Sequence, residues 1–110
     1  MVAPPAVVNG LAHGQVWWAD PDKVRPVLVL TRGRVAPLLH RVLVAPITTT
    51  VRGLPTEVAL GEAEGVADGC VANLDNVQLV PVEVLLQRAG HVGASRWPEV
   101  CSAMAKVLGC

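Results

Sequence analysis

The run Gly14-Gln15-Val16-Trp17-Trp18-Ala19-Asp20 is followed within six residues by Arg25-Pro26-Val27-Leu28-Val29-Leu30. A glycine-introduced, aromatic-rich strand is thus joined by a short turn to a second apolar strand that opens on an arginine and a proline. Proline does least damage at the first position of a strand. Strands of this type form the spine of a small β-barrel, and Arg25 sits at the strand mouth, where it can meet a ligand. Successive side chains on a strand point to opposite faces, so one of Trp17 and Trp18 is core and the other is exposed or covered by a partner.

Further strands are expected at Leu39 to Ile47, ending where Pro46 breaks it, at Pro55 to Leu60, at Cys70 to Leu74 and at Asn76 to Val80. Residues 1 to 13, with Pro4-Pro5 and Asn9-Gly10, read as a loose arm ahead of one domain over 14 to 110. Arg32 to Leu38 is a basic loop and Gly61 to Gly69 an acidic one. Pro81 to Leu86 reads as a short helical turn. Ser95 is a good N-cap, and Trp97, Cys101, Met104, Ala105 and Leu108 follow at helical spacing, which predicts a terminal amphipathic helix to about Leu108. Many short strands with one closing helix predict a mainly β fold, a small barrel with a helical lid.

At 110 residues the chain holds one core. With 52% apolar residues it has the means to fold. Its apolar runs stop well short of the ~18 residues of a membrane span, and no basic segment precedes the apolar N-terminus as in a signal peptide. A cytoplasmic protein with no membrane contact is expected. Cys70, Cys101 and Cys110 are too few and scattered for a disulfide framework; Cys70 and Cys101 read as small buried apolar residues. His13, His40 and His91 lie far apart, so no metal or other cofactor is expected. The net charge of zero hides a segregation. Every charged residue from Lys23 to Arg52 is basic, and every one from Gly53 to Glu83 is acidic, six against six. Either a positive face for an anionic ligand results, or cross-strand pairs neutralise the two blocks.

Four blocks in order, Gly14 to Asp20, Arg25 to Val29, Ala45-Pro46-Ile47-Thr48-Thr49 and Pro55 to Val58, resemble the strand motifs of the MazF/PemK family of toxin endoribonucleases. Asp68 to Val77 is similar to a later family segment, so the resemblance spans about Gly14 to Gly109. It implies an SH3-like barrel of the MazF/CcdB type with a C-terminal helix. It also implies a homodimer, a groove for single-stranded RNA near the dimer interface, and a cognate antitoxin whose tail occupies that groove. The implied reaction is metal-independent, sequence-specific cleavage of mRNA, tRNA or rRNA by 2′-hydroxyl attack, leaving 2′,3′-cyclic phosphate and 5′-hydroxyl ends. The abundance of Arg over Lys, seven to two, fits a GC-rich actinobacterial source. The turn between the first two strands is shorter than in many relatives, which leaves substrate choice open.

The family motif maps its catalytic arginine onto Arg25 and its threonine onto Thr48. A planar guanidinium matches two phosphate oxygens, and a threonine hydroxyl can donate to a third or relay a proton. Asp22 beside Arg25 is the carboxylate at hand, with a solvated turn residue as the plainer role. Thr49, Arg34, Arg52, Asn73, Asn76 and Gln78 are candidates for RNA contact, the arginines on phosphate and the amides on base edges. Trp17 or Trp18 could stack a base, though packing in the core or a dimer interface suits both better. A non-catalytic reading also exists: an SH3-like RNA- or protein-binding module, or a gyrase poison of the CcdB type. The latter lineage ends in Trp-Gly-Ile, where this chain has Leu108-Gly109-Cys110.

Overall fold

The computed structural model describes residues 10–33 and 40–110. Seven antiparallel strands run β1 Gln15–Ala19, β2 Arg25–Val29, β3 Arg41–Thr48, β4 Glu57–Leu60, β5 Cys70–Asn73, β6 Gln78–Pro81 and β7 Leu85–His91, followed by one helix, α1, Trp97–Val107. The sheet runs β4-β5-β3-β2-β1-β7, with β6 added on β3. It is curled but not closed, since no pairing joins its ends among the described residues.

β3 is the pivot. Arg41 to Val44 pair with β6, and Ile47 and Thr48 pair with β5. Pro46 was expected to end this strand; instead the strand runs through it. It stands where β3 has left β6 and not yet met β5, a place in a sheet that tolerates a residue without an N–H. Alternation along β2 and β3 supplies two cores, one per face. Leu28, Ala45 and Ile47 pack with Val100 and Ala103 of α1, while Val27, Val29, Val42 and Val44 pack with Trp17 and Leu85 on the other face. Trp17 is therefore the core tryptophan, its indole N–H donating to Gln15 Oε1 at 2.9 Å, and Trp18 is 39% exposed.

β7 carried no strand signal in the sequence. Leu85-Leu86-Gln87-Arg88-Ala89-Gly90-His91 has no β-branched residue, and its extension is imposed by pairing with β1 through two irregular steps. The helical turn expected at Pro81 to Leu86 is confined to Val82–Val84. The arm expected over 1 to 13 is described only from Gly10, and its described end is anchored: Leu11 is buried in the second core, and the His13 ring meets Trp97 at a tilt of 44° with centroids 4.8 Å apart. Most of the basic loop, and the start expected for β3 at Leu39, lie outside the described residues.

Ser95 does not cap α1. Arg96 takes the cap position with no capping side chain, and works instead as a cross-brace. Its guanidinium donates to Ala59 O at 2.8 Å and to Glu99 at 2.8 and 3.2 Å, and stands 3.3 Å from the buried Glu64 carboxylate. Glu64 in turn accepts from Gly61 N–H at 2.8 Å. The hydrogen bond from Arg96 holds the Glu99 carboxyl below its ordinary value. A depressed carboxyl stabilises the fold above its unfolded value of 4.5 and loses that contribution as pH falls through the lower folded value. Replacing Glu99 with glutamine is therefore expected to lower stability at neutral pH and to flatten its fall in mild acid, read as melting temperature from pH 7 to 3.

The helix also differs from expectation in what its apolar stripe meets. Val100 and Ala103 are the buried positions, and Cys101, expected to be buried, is exposed. The open side of the stripe borders an apolar groove of about 380 Å³, lined by Leu30, Leu43, Trp97, Cys101, Met104 and Leu108 among others. No described helix is long and apolar enough to cross a membrane.

Candidate active site

Pairing of Val27, Leu28 and Val29 with Pro46, Ala45 and Val44 fixes the register of β2 on β3. Continued by two residues, that register sets Arg25 opposite Thr48. The same two residues border both of two neighbouring hollows. One, of about 340 Å³, is largely apolar, with Trp18, Pro26, Ile47, Val66 and Cys70 in its wall and Lys23 and Thr49 at its edge. The other, of about 190 Å³, is polar, walled by Thr50, Arg52, Asn73 and Asn76. Arg25 and Thr48 form the waist between them.

Arg25 is held on one side only. Its Nη2 lies 3.3 Å from Asp22 Oδ1, across an exposed contact with side-chain exposures of 30% and 71%. Its Nε–H is buried and has no hydrogen-bond partner among the described residues. A buried donor left unmet costs about 1–3 kcal/mol, a cost that an incoming anion removes. Thr48 Oγ1 accepts from Thr50 N–H at 3.0 Å. This is the local turn bond threonine often makes, and it leaves the hydroxyl proton free to donate into the groove.

The two charge blocks do not neutralise each other: no ion pair between them occurs among the described residues. Four of the six acidic side chains are occupied elsewhere. Glu57 accepts from the backbone of Arg52 and Leu54, Asp68 from Glu62 N–H, Asp75 from the Thr56 hydroxyl, and Glu64 pairs with Arg96. The lining of the two hollows thus carries Lys23, Arg25 and Arg52 and no carboxylate.

Of the residues singled out from sequence, Arg25, Thr48, Thr49, Arg52, Asn73 and Asn76 come together in this double groove. Asp22 touches it through Arg25. Gln78 stands exposed on β6 opposite Val44 and lines neither hollow, and Arg34 lies outside the described residues. The groove adds Lys23 and Cys70, neither of which the sequence placed in the site, and Trp18, for which base stacking was the lesser of two readings. For Trp18 the signal was present, since one of two adjacent tryptophans on a strand has to leave the core.

Comparison with known proteins agrees with the arrangement. Residues 12–108 match the family described as PemK-like, MazF-like toxin of type II toxin-antitoxin system. The chain belongs to this family. It is 40% identical over 102 residues to the probable endoribonuclease MazF5 of Mycobacterium tuberculosis, covering 90% of this chain and 94% of that one. It is 48% identical over 90 residues to endoribonuclease MazF3 of the same species, covering 82% and 87%. Among solved structures, the M. tuberculosis toxin MazF-mt6 superposes with a TM-score of 0.83 at 43% identity, over 86% of this chain and 96% of that chain. A mycobacterial endoribonuclease in complex with its cognate antitoxin superposes with a TM-score of 0.80 at 27% identity, over 90% and 95%.

Proposed function

We propose that this MazF-like toxin is an endoribonuclease that cleaves single-stranded RNA without a metal ion, with the scissile phosphate at the Arg25–Thr48 waist. The observation that carries the reading is the buried Nε–H of Arg25, without a partner among the described residues, between two hollows that can each take a flanking nucleotide. RNA brings its own nucleophile, the 2′-hydroxyl, so the protein has to orient it and stabilise charge. As that oxygen attacks phosphorus, negative charge builds on the non-bridging oxygens. Arg25 donates to them from a fixed plane, and Thr48 adds a neutral donor. Arginine stays protonated, so it is not the base. Asp22, in contact with Arg25, is the carboxylate placed to accept the 2′-hydroxyl proton directly or through water. Lys23 and Arg52 hold neighbouring phosphates. Cleavage of a long RNA in EDTA, with 2′,3′-cyclic phosphate and 5′-hydroxyl ends at short recurring sequences, tests this. Intact RNA after incubation with folded protein would refute it.

A cognate antitoxin that closes the groove is part of the same reading, supported by the antitoxin-bound mycobacterial relative. So is a homodimer. The apolar groove along α1 is lined by Leu108, 67% exposed, and by Leu43, whose register partner on β6 is Leu79, 59% exposed, so exposed apolar side chains cluster on this face. Leu108→Glu alters an exposed position, so the monomer fold survives. Sedimentation equilibrium is expected to show a two-chain mass for the wild type and a one-chain mass for this variant. A variant that stays dimeric would remove this face from the interface.

A further inference from the structure

The two amides in the polar hollow differ in how they are held. Asn76 is exposed, and no bond fixes its side chain among the described residues, so it can turn either end toward a ligand. Asn73 is only 7% exposed. Its side chain accepts from Asp75 N–H at 3.0 Å and so caps the turn Leu74–Asn76. A backbone N–H is a donor alone, so the atom facing it has to be the amide oxygen. The surroundings lock this choice. Asn73 pairs with Glu57 of β4, Leu74 N–H donates to Thr56 O at 3.1 Å, and the Thr56 hydroxyl binds Asp75. The oxygen of Asn73 is thereby turned to the Leu74–Asn76 turn, and Nδ2 is the end left for a ligand. Its Nδ2 has no partner among the described residues, in a side chain that lines the hollow beside the waist.

We infer that Asn73 selects the base on one side of the cut, favouring a keto base, uracil or guanine, over an amino base, cytosine or adenine. This rests on the nuclease reading above, which places the phosphate at Arg25 and Thr48. With the phosphate there, a flanking base enters the polar hollow. At about 190 Å³ the hollow falls below the ~300–1,000 Å³ of drug-sized sites and suits a single base. Single-stranded RNA bases are read on their Watson–Crick edges. On that edge uracil O4 and guanine O6 accept, whereas cytosine N4 and adenine N6 donate. Cytosine N3 and adenine N1 also accept on that edge, so the selection works through the exocyclic group facing Nδ2: a rigid donor there meets the first pair with a hydrogen bond and the second pair with an opposed donor.

The test is to map cut sites on a long, weakly structured RNA for the wild type, Asn73→Asp and Asn73→Ala, with folding checked by circular dichroism. The readout is the ratio of keto to amino bases at each position flanking the cut, which is independent of overall rate. The wild type is expected to favour keto bases at one position by about fivefold, the effect of one neutral hydrogen bond. Asn73→Asp keeps an acceptor for Asp75 N–H but presents a second acceptor, so the ratio moves toward amino bases. Asn73→Ala brings it near one. An unchanged ratio in either folded variant overturns the inference. So do a wild type without keto preference at both positions, a folded Asn73→Ala that no longer cuts, and the unfolding of both variants. Should alanine alone unfold the chain, the aspartate variant decides. Absence of any wild-type cutting is a different failure: it removes the nuclease reading, and this inference falls with it.

Discussion

Arg25→Ala is expected to lower RNA cleavage by roughly 10²–10³-fold, the loss typical of removing one preorganised donor from developing charge, while leaving the fold as stable as before. The separation of the two effects follows from how the side chain is held. Its contact with Asp22 at 3.3 Å is exposed, and such pairs contribute about 0–1 kcal/mol. Its Nε–H is buried with no partner among the described residues, so truncation removes an unmet donor along with that weak pair. Arg25→Lys restores the charge but not the planar fork, and recovers only part of the rate. Thr48→Ala removes one neutral hydrogen bond to the phosphate, and a loss of about tenfold is expected. Single-turnover cleavage in EDTA alongside thermal unfolding checks all three. Cleavage by Arg25→Ala at the wild-type rate would move the phosphate away from the waist, and a large drop in melting temperature would make Arg25 a structural residue instead.

The centre of this site could be read from sequence because its residues sit on short alternating strands. Once Arg25-Pro26-Val27-Leu28-Val29 and Val44-Ala45-Pro46-Ile47-Thr48 are strands, pairing them antiparallel from their apolar cores brings Arg25 to Thr48. Other features depend on partners distant in the chain. β7 is a strand because β1 pairs with it, with no help from its own residues. The stripe on α1 had the right period, but periodicity alone does not say which part meets the core, and Cys101 lies on the uncovered side. Ser95 was the better cap by residue type, yet Arg96 takes the position and contacts Ala59, Glu64 and Glu99 at once. The charge segregation pointed to the groove, but only the structure shows Glu57, Glu64, Asp68 and Asp75 of the acidic block spent on backbone amides, a hydroxyl and Arg96. The fixed amide of Asn73 is of the same kind, since its orientation depends on a turn bond that sequence does not display.

The junction that braces the apolar hollow is a crossing of two glycines. A side chain at Gly65 would bring its Cβ closer than 3.0 Å to Ala89 O, and one at Gly90 would come equally close to Glu64 O. Backbone meets backbone at both points, so neither neighbour can swing away as a side-chain tip could. Gly65 also has φ +89°, where an L-residue is strained. Gly65→Ala is therefore expected to cost about 3 kcal/mol or more, a drop of roughly 10–20 °C in melting temperature for a domain of this size. Gly90→Ala is expected to fall in the same range. Gly93→Ala is the control: a Cβ there would meet nothing within 4 Å, and reduced freedom of the unfolded chain leaves it neutral or slightly stabilising. The crossing also bears on activity. Val66 and Ala67, next to Gly65, wall the apolar hollow, and β7, which carries Gly90, pairs with β1 beneath Trp18. Any Gly65→Ala protein still folded at low temperature is therefore expected to cut RNA more slowly than wild type although Arg25 and Thr48 are untouched. Equal melting temperatures for Gly65→Ala and Gly93→Ala would show that β7 and the Glu62–Glu64 turn do not meet as closely as this crossing requires.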